Sequence, residues 1–208
     1  MIHEVDEALR ALITERALPS GEVRVSFEAP NREWAAQRNT PTVNAYLYDV
    51  REDLGRRERG PLAVHGPDGR VIARRQPPRH FRLSYLVTAW TKRPEDEHRL
   101  LSAVLACLLR NEILPDGSLP PGGVLAELGM AVPVSAAVPP PESRSIADIW
   151  SALGGELKPS LDVVVTAPMP VSPEYPVGPA VTDSVVVTVG DTEGKLPDPP
   201  VRTRRLQK

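Results

Sequence analysis

Ile2, Val5, Leu9, Leu12 and Ile13 recur at helical spacing, and Glu4, Asp6 and Glu7 occupy the first turns, where the helix dipole favours anions. The pattern predicts an opening helix that ends near Leu18, ahead of Pro19-Ser-Gly21. Val23, Val25 and Phe27 then alternate with polar residues in a short strand that stops at Pro30. Asn31 to Arg38 reads equally as a helical turn or a loop. From Thr42 to Arg51 the alternation has two sides, with Val43, Ala45 and Leu47 facing one way and Asn44, Tyr46 and Tyr48 the other. Such a strand is covered on one face and touches something polar, or a partner, on the opposite face.

Gly66-Pro-Asp-Gly69 predicts a turn, and Arg70 to Arg75 a strand leaving it. Arg82 to Thr91 is the strongest strand pattern, with Leu83, Tyr85, Val87 and Ala89 opposed to Ser84, Leu86, Thr88 and Trp90. Pro94 then opens a helix where its missing N–H does no harm, and Leu101, Val104, Leu105, Leu108 and Leu109 supply an apolar stripe up to Ile113. Pro115 to Gly123 reads as a loop and Met130 to Val138 as a strand. Ser145 caps a short helix carrying Ile146, Ile149, Trp150 and Leu153, closed by Gly154-Gly155. Leu161 to Ala167 and Val181 to Val189 are strand-like, with proline-rich chain between them. These elements alone predict a soluble α/β domain.

Composition changes the picture at the C-terminal end. Eight of the 24 prolines fall between Pro168 and Pro200, a density incompatible with regular helix. The expected organisation is therefore a domain over residues 1–167 and an extended proline-rich arm over residues 168–208. The 208 residues carry a net charge of -2, which gives no general attraction to nucleic acid or an anionic membrane. Locally, nine arginines between Arg51 and Arg82 face only four acids, Glu52, Asp53, Glu58 and Asp68. The single cysteine, Cys107, excludes an internal disulfide framework and suits a reducing compartment. With an acidic amphipathic start and no apolar run of membrane-spanning length, the expectation is assembly in the cytoplasm and no membrane partner.

Candidate chemistry is sparse. His3, His65, His80 and His98 lack metal-ligand spacing, and Cys107 sits among leucines with nothing placed to form a thiolate. No glycine-rich phosphate cradle follows a strand, so no cofactor is expected, and no nucleophile elbow marks an enzyme. Glu95, Asp96 and Glu97 read as charges at a helix start. The arginine stretch, interleaved with Tyr46, Tyr48, Phe81 and Tyr85, has three readings: a solvated loop, a grip on a nucleic acid or other polyanion, or a protein interface.

Three blocks decide among these. They are Pro41-Thr-Val-Asn-Ala-Tyr-Leu-Tyr-Asp-Val-Arg-Glu-Asp53; Arg82-Leu-Ser-Tyr-Leu-Val-Thr-Ala-Trp90 running on to Pro94-Glu-Asp-Glu-His-Arg-Leu-Leu101; and Ile149-Trp-Ser-Ala-Leu-Gly-Gly-Glu-Leu-Lys-Pro-Ser-Leu-Asp-Val-Val-Val-Thr-Ala-Pro168. In this order they resemble the cap, or tail-terminator, proteins of phage-tail-like contractile injection systems, over roughly residues 1 to 170. The resemblance implies an α/β (α+β) fold of tail-terminator type, a mixed or antiparallel sheet flanked by a few helices. It also implies a structural role: a homo-oligomeric ring, expected to be hexameric, that ends the inner tube and the sheath. Partners would then be further copies of the chain, inner-tube protein and sheath protein, with no nucleic acid and no catalysis. On this reading Tyr46, Tyr48, Arg51 and Arg82 lie at subunit, tube or sheath contacts, because they punctuate the polar faces of the central strands. Val185, Val187 and Val189 would form an edge strand added to a neighbour.

Overall fold

The computed structural model describes residues 1–18, 21–138 and 145–178. Its element order is α1 (Ile2–Leu12), β1 (Arg24–Ser26), α2 (Arg32–Ala36), β2 (Thr42–Glu52), β3 (Leu62–His65), β4 (Val71–Arg75), β5 (Arg79–Trp90), α3 (Pro94–Arg110), α4 (Val124–Leu128), β6 (Val134–Ala136), α5 (Ile146–Ala152), β7 (Ser160–Met169) and β8 (Tyr175–Pro176). A wider turn, Ile13–Ala17, continues α1, with the Leu18 N–H donating to Ile13 O at 3.0 Å. The opening helix thus reaches the expected end by changing its pitch. The strand pattern at Val181 to Val189, and with it Val185, Val187 and Val189, lies outside the described residues.

The first compact unit comprises Met1–Leu62 and Gln76–Pro173. It holds a five-stranded sheet of order β1-β2-β5-β7-β6, in which β1 runs parallel to β2 and the other neighbours are antiparallel. The predicted mixed sheet is present. One face carries the core: Val43, Ala45, Leu83, Tyr85, Val87, Val163 and Val165 are buried against Val5, Leu9, Leu12, Val104, Cys107 and Leu108 from α1 and α3. The helical stripe of α3 is narrower than its leucines suggest. It stops at Arg110, and Leu109 is 59% exposed.

Three acids that read as helix-start charges, Glu4 and Glu97 buried and Asp6 half-buried, link separate elements. Glu4 accepts the Leu125 N–H of α4 at 2.9 Å, Asp6 accepts the Tyr85 hydroxyl at 2.7 Å, and Glu97 accepts both the Thr91 N–H at 3.1 Å and the Lys158 ammonium at 2.7 Å. Burial, reinforced by Asp6, holds the Tyr85 phenol far above its ordinary pKa. Burial also raises Asp6 itself, against the pull of the Tyr85 hydrogen bond. A carboxylate on the apolar side of a helix needs such a donor, because an unpaired buried charge is strongly destabilising.

Two further expectations change. The segment expected as a strand over Met130 to Val138 pairs only at Val134–Ala136, because Pro133 has no N–H and makes an isolated bridge with Ile113. Downstream of Pro115, the loop contains one turn of tight helix, Asp116–Ser118, and leads into α4, whose end is a left-handed Gly129 with φ 58°. β7 runs on to Met169, with Pro168 paired to His80.

The second unit comprises Ala63–Arg75 together with residues from Glu174 onward. Here β3, β4 and β8 form a three-stranded sheet in that order. The β3–β4 turn is the predicted one, with the Gly69 N–H donating to Gly66 O at 3.0 Å and Gly69 at φ 76°. Val71, Ile72 and Tyr175 stay largely exposed. Among the described residues, no helix is long and apolar enough to cross a membrane.

Candidate functional site

The face of the five-stranded sheet opposite the core falls into two halves. At one end it is covered by the chain itself: Thr42, Asn44, Leu86 and Thr88 are buried, and the Asn44 side-chain amide donates to Glu28 O at 3.0 Å. Trp34 of α2, Trp90 of β5 and Trp150 of α5 cluster over this end, Trp34 and Trp90 edge to face with ring centroids 5.2 Å apart and Trp90 and Trp150 tilted at 6.4 Å. Trp150 is buried, while Arg38 lies 4.4 Å over Trp34 and Lys158 4.6 Å over Trp90. The polar side of β2, expected to touch something polar or a partner, is at this end covered by the protein itself. Asn44 faces its own protein.

At the other end the face opens. Tyr46, Tyr48, Asp49 and Arg82 are half-buried and Arg51 is exposed. A bulge in β2 brings these residues together. Leu47 pairs with Tyr85, and the next pair is Asp49 with Ser84, so Tyr48 has no opposite number on β5. An extra residue reverses the alternation beyond it. Strict alternation would send Arg51 to the Val43 side. With the bulge, Asp49 and Arg51 join Tyr46 on the open face, and Arg51 lies directly opposite Arg82, which itself pairs with Thr166 of β7.

Like charges opposed across strands repel, and the structure moderates this with Asp49, whose Oδ1 accepts the Arg51 Nε–H at 3.3 Å. The Tyr48 hydroxyl donates to Asp162 Oδ1 of β7 at 2.9 Å, spanning the intervening strand β5. Tyr48 is thereby held across the sheet, and Asp162, the single charged residue of β7, acquires a role that periodicity did not assign. All four positions singled out in the described chain, Tyr46, Tyr48, Arg51 and Arg82, share this open half-face.

The arginine stretch does not behave as a uniform cationic strip. Arg57 and Arg79 pair with Glu52, Arg56 with Asp53, and Arg70 with Asp68. Its own acids neutralise much of it. Cys107 lies in the core, its thiol 3.9 Å from Leu12 O, and burial pushes its pKa up despite Arg110 and Arg16. Among the described residues, no group of three or more His, Cys, Asp and Glu is arranged to hold a metal ion.

The edge strand β1 is blunted. Its Val25 carbonyl accepts the Arg10 guanidinium at 2.6 Å, which occupies a main-chain group that another strand would need.

A family model described as the Pvc16 N-terminal domain matches residues 4–183. No curated protein matches the sequence. Among solved structures, the chain is similar to the sheath/tube terminator of PVC, an extracellular contractile injection system, in its extended state. That match has a TM-score of 0.67 and 20% identity, covering 92% of this chain and 65% of that one. It is also similar to the anti-feeding prophage cap, a tube-terminating cap, with a TM-score of 0.58 and 24% identity, covering 89% of this chain and 59% of that one. The chain thus shares their α/β fold while spanning less than two thirds of the length of either.

Proposed function

The chain belongs to the Pvc16 N-terminal domain family, and from that premise we propose that it is a structural cap of a contractile injection particle. In this role it closes the end of the inner tube and sheath as a homo-oligomeric ring, expected to contain six copies, and stops both from growing. The observation that carries the reading is the shared fold over 92% of the chain with a sheath/tube terminator. Its partners are inner-tube protein, sheath protein and its own copies. The work is done by surface shape, without catalysis, and the ring is assembled in the cytoplasm as part of a particle that is later released or retained.

A terminator must match the last ring on one side and offer no matching surface on the other. The open half-face with Tyr46, Tyr48, Arg51 and Arg82 suits the first requirement, since tyrosine and arginine dominate interface hot spots. The Arg10-occupied edge of β1 suits the second. Val185, Val187 and Val189, which lie outside the described residues, are expected on this reading at contacts with a neighbouring subunit. Self-neutralisation of the arginine stretch favours this reading over the polyanion-binding alternative.

Electron microscopy of particles from cells lacking the protein tests the proposal. Tubes and sheaths of uncontrolled length support it. Particles of normal, uniform length with closed ends would end it.

A further inference from the structure

A cleft of about 660 Å³ opens beside Trp90, walled by Val23, by α2 and the segment from Arg38 to Pro41 that leads into β2, by the end of β5, and by the start of α3. Its apolar surface comes from Val23, Ala35, Pro41, Leu100 and the Trp90 ring. Around this lie four cations, Arg38, Lys92, Arg93 and Arg99, against one acid, Asp96. Asp96 is already engaged by Arg99 at 3.2 Å. Among the described residues no carboxylate lies within 4.0 Å of Lys92 or Arg93, and Arg38 reaches only Glu28, at 3.7 Å. The Arg38 Nε is buried without an acceptor, while its guanidinium is pinned over Trp34. A protein of net charge -2 has acids enough to pair these groups internally, and among the described residues it does not place them here.

We propose that this cleft binds a short acidic and apolar peptide segment of a partner protein. A cleft of this size takes about four or five residues, within the range usual for well-formed ligand sites. Carboxylates of the segment meet Lys92, Arg93 and Arg38, and its apolar side chains lie on Trp90, Pro41 and Leu100. The buried Arg38 Nε, a donor that lacks an acceptor, favours a ligand that supplies one. The apolar lining from Val23, Pro41, Leu100 and Trp90 disfavours a polyphosphate, which carries no apolar groups. The inference goes beyond the cap reading and does not rest on it.

The test is selection of a displayed random heptapeptide library on the isolated full chain. Titration calorimetry of the synthesised consensus peptide then follows, against the native protein and K92E/R93E. Both substituted side chains are exposed, so the variant keeps its thermal midpoint. The expected result is an acidic, apolar consensus whose affinity falls at least about tenfold in the variant and also falls with added salt. Three results overturn the proposal: no consensus, a basic consensus, or a peptide that binds K92E/R93E as well as the native protein. Inorganic tripolyphosphate displacing the peptide at concentrations below the peptide's own Kd would also overturn it, assigning the cleft to polyanions. None of these outcomes bears on tube and sheath length, so the cap reading is tested separately.

Discussion

Replacing Glu4 by alanine should destabilise the protein far more than its place in the first turn of α1 would suggest. The side chain is 3% exposed, and its Oε2 accepts the N–H of Leu125, a fully buried residue one position inside α4. Gly123, the residue before α4, has no side chain to cap that helix, so Glu4 does so from the other end of the sequence. A hydrogen bond to a charged group contributes about 1.5–3 kcal/mol and a buried donor left unpaired costs about 1–3, so the non-additive loss should be about 2–4 kcal/mol. Gly123→Ala approaches the same contact from the other side. Its Cβ would lie 2.6 Å from Glu4 Oε2 and 3.0 Å from Pro120 O, forcing the carboxylate to move. That strain should cost about 1–3 kcal/mol alone. In a Glu4→Ala background one of the two obstructions is gone, so the double variant should show a coupling of about 1 kcal/mol. Urea unfolding followed by circular dichroism measures all four corners of the cycle.

The pH dependence has a definite sign. Burial works to raise the Glu4 pKa, but the Leu125 N–H and the terminal ammonium outweigh it and hold the group below its ordinary value of 4.5. A folded-state value below the unfolded one makes the contribution full above 4.5 and progressively lost as pH falls through the lower, folded value. Glu4→Gln, which keeps an acceptor without the titration, should flatten that acid limb. A loss under about 0.5 kcal/mol for Glu4→Ala, the size of an ordinary surface change, together with strict additivity in the cycle, would refute the reasoning.

Trp150→Ala should cost about 3–5 kcal/mol, as expected for a fully buried aromatic, measured by the same urea transition. Tyr48→Phe removes the bond to Asp162 and should lower stability by about 1 kcal/mol, with Asp162→Asn non-additive beside it; additive losses would deny the contact. Tyr48→Ala with Arg82→Ala should leave the chain folded by circular dichroism while abolishing rings in mass photometry, and intact rings would count against the open half-face as an assembly surface. Truncation after Gly178, which spares β7 and β8, should alter sheath length in electron micrographs if the valine-rich segment joins neighbours; unchanged length would remove that idea.

Local pattern carried the elements whose apolar residues have one periodicity and one burial side. The opening helix, the long strands around Thr42 and Arg82, the helix starting at Pro94 and the Ser145 cap were all legible, because covalent neighbours set helix starts and alternation sets strand faces. The family resemblance came from residue identities in three blocks. The site was legible only in part. Tyr46, Tyr48 and Arg82 follow from alternation, but Arg51 reaches the same face through a bulge that pattern alone does not announce.

Sequence by itself determined that the chain has an α/β fold with one strongly apolar sheet face and that it carries no recognisable catalytic or metal-binding signature. Tertiary structure decided which polar residues are interior links and which are surface. Glu4, Asp6 and Glu97 look like solvated helix-start charges until donors from Leu125, Tyr85 and Lys158 arrive from 121, 79 and 61 residues away. The physical reason is range: periodicity reports the backbone's own geometry over a few residues, whereas the fate of a charge depends on partners that only folding brings within hydrogen-bond distance.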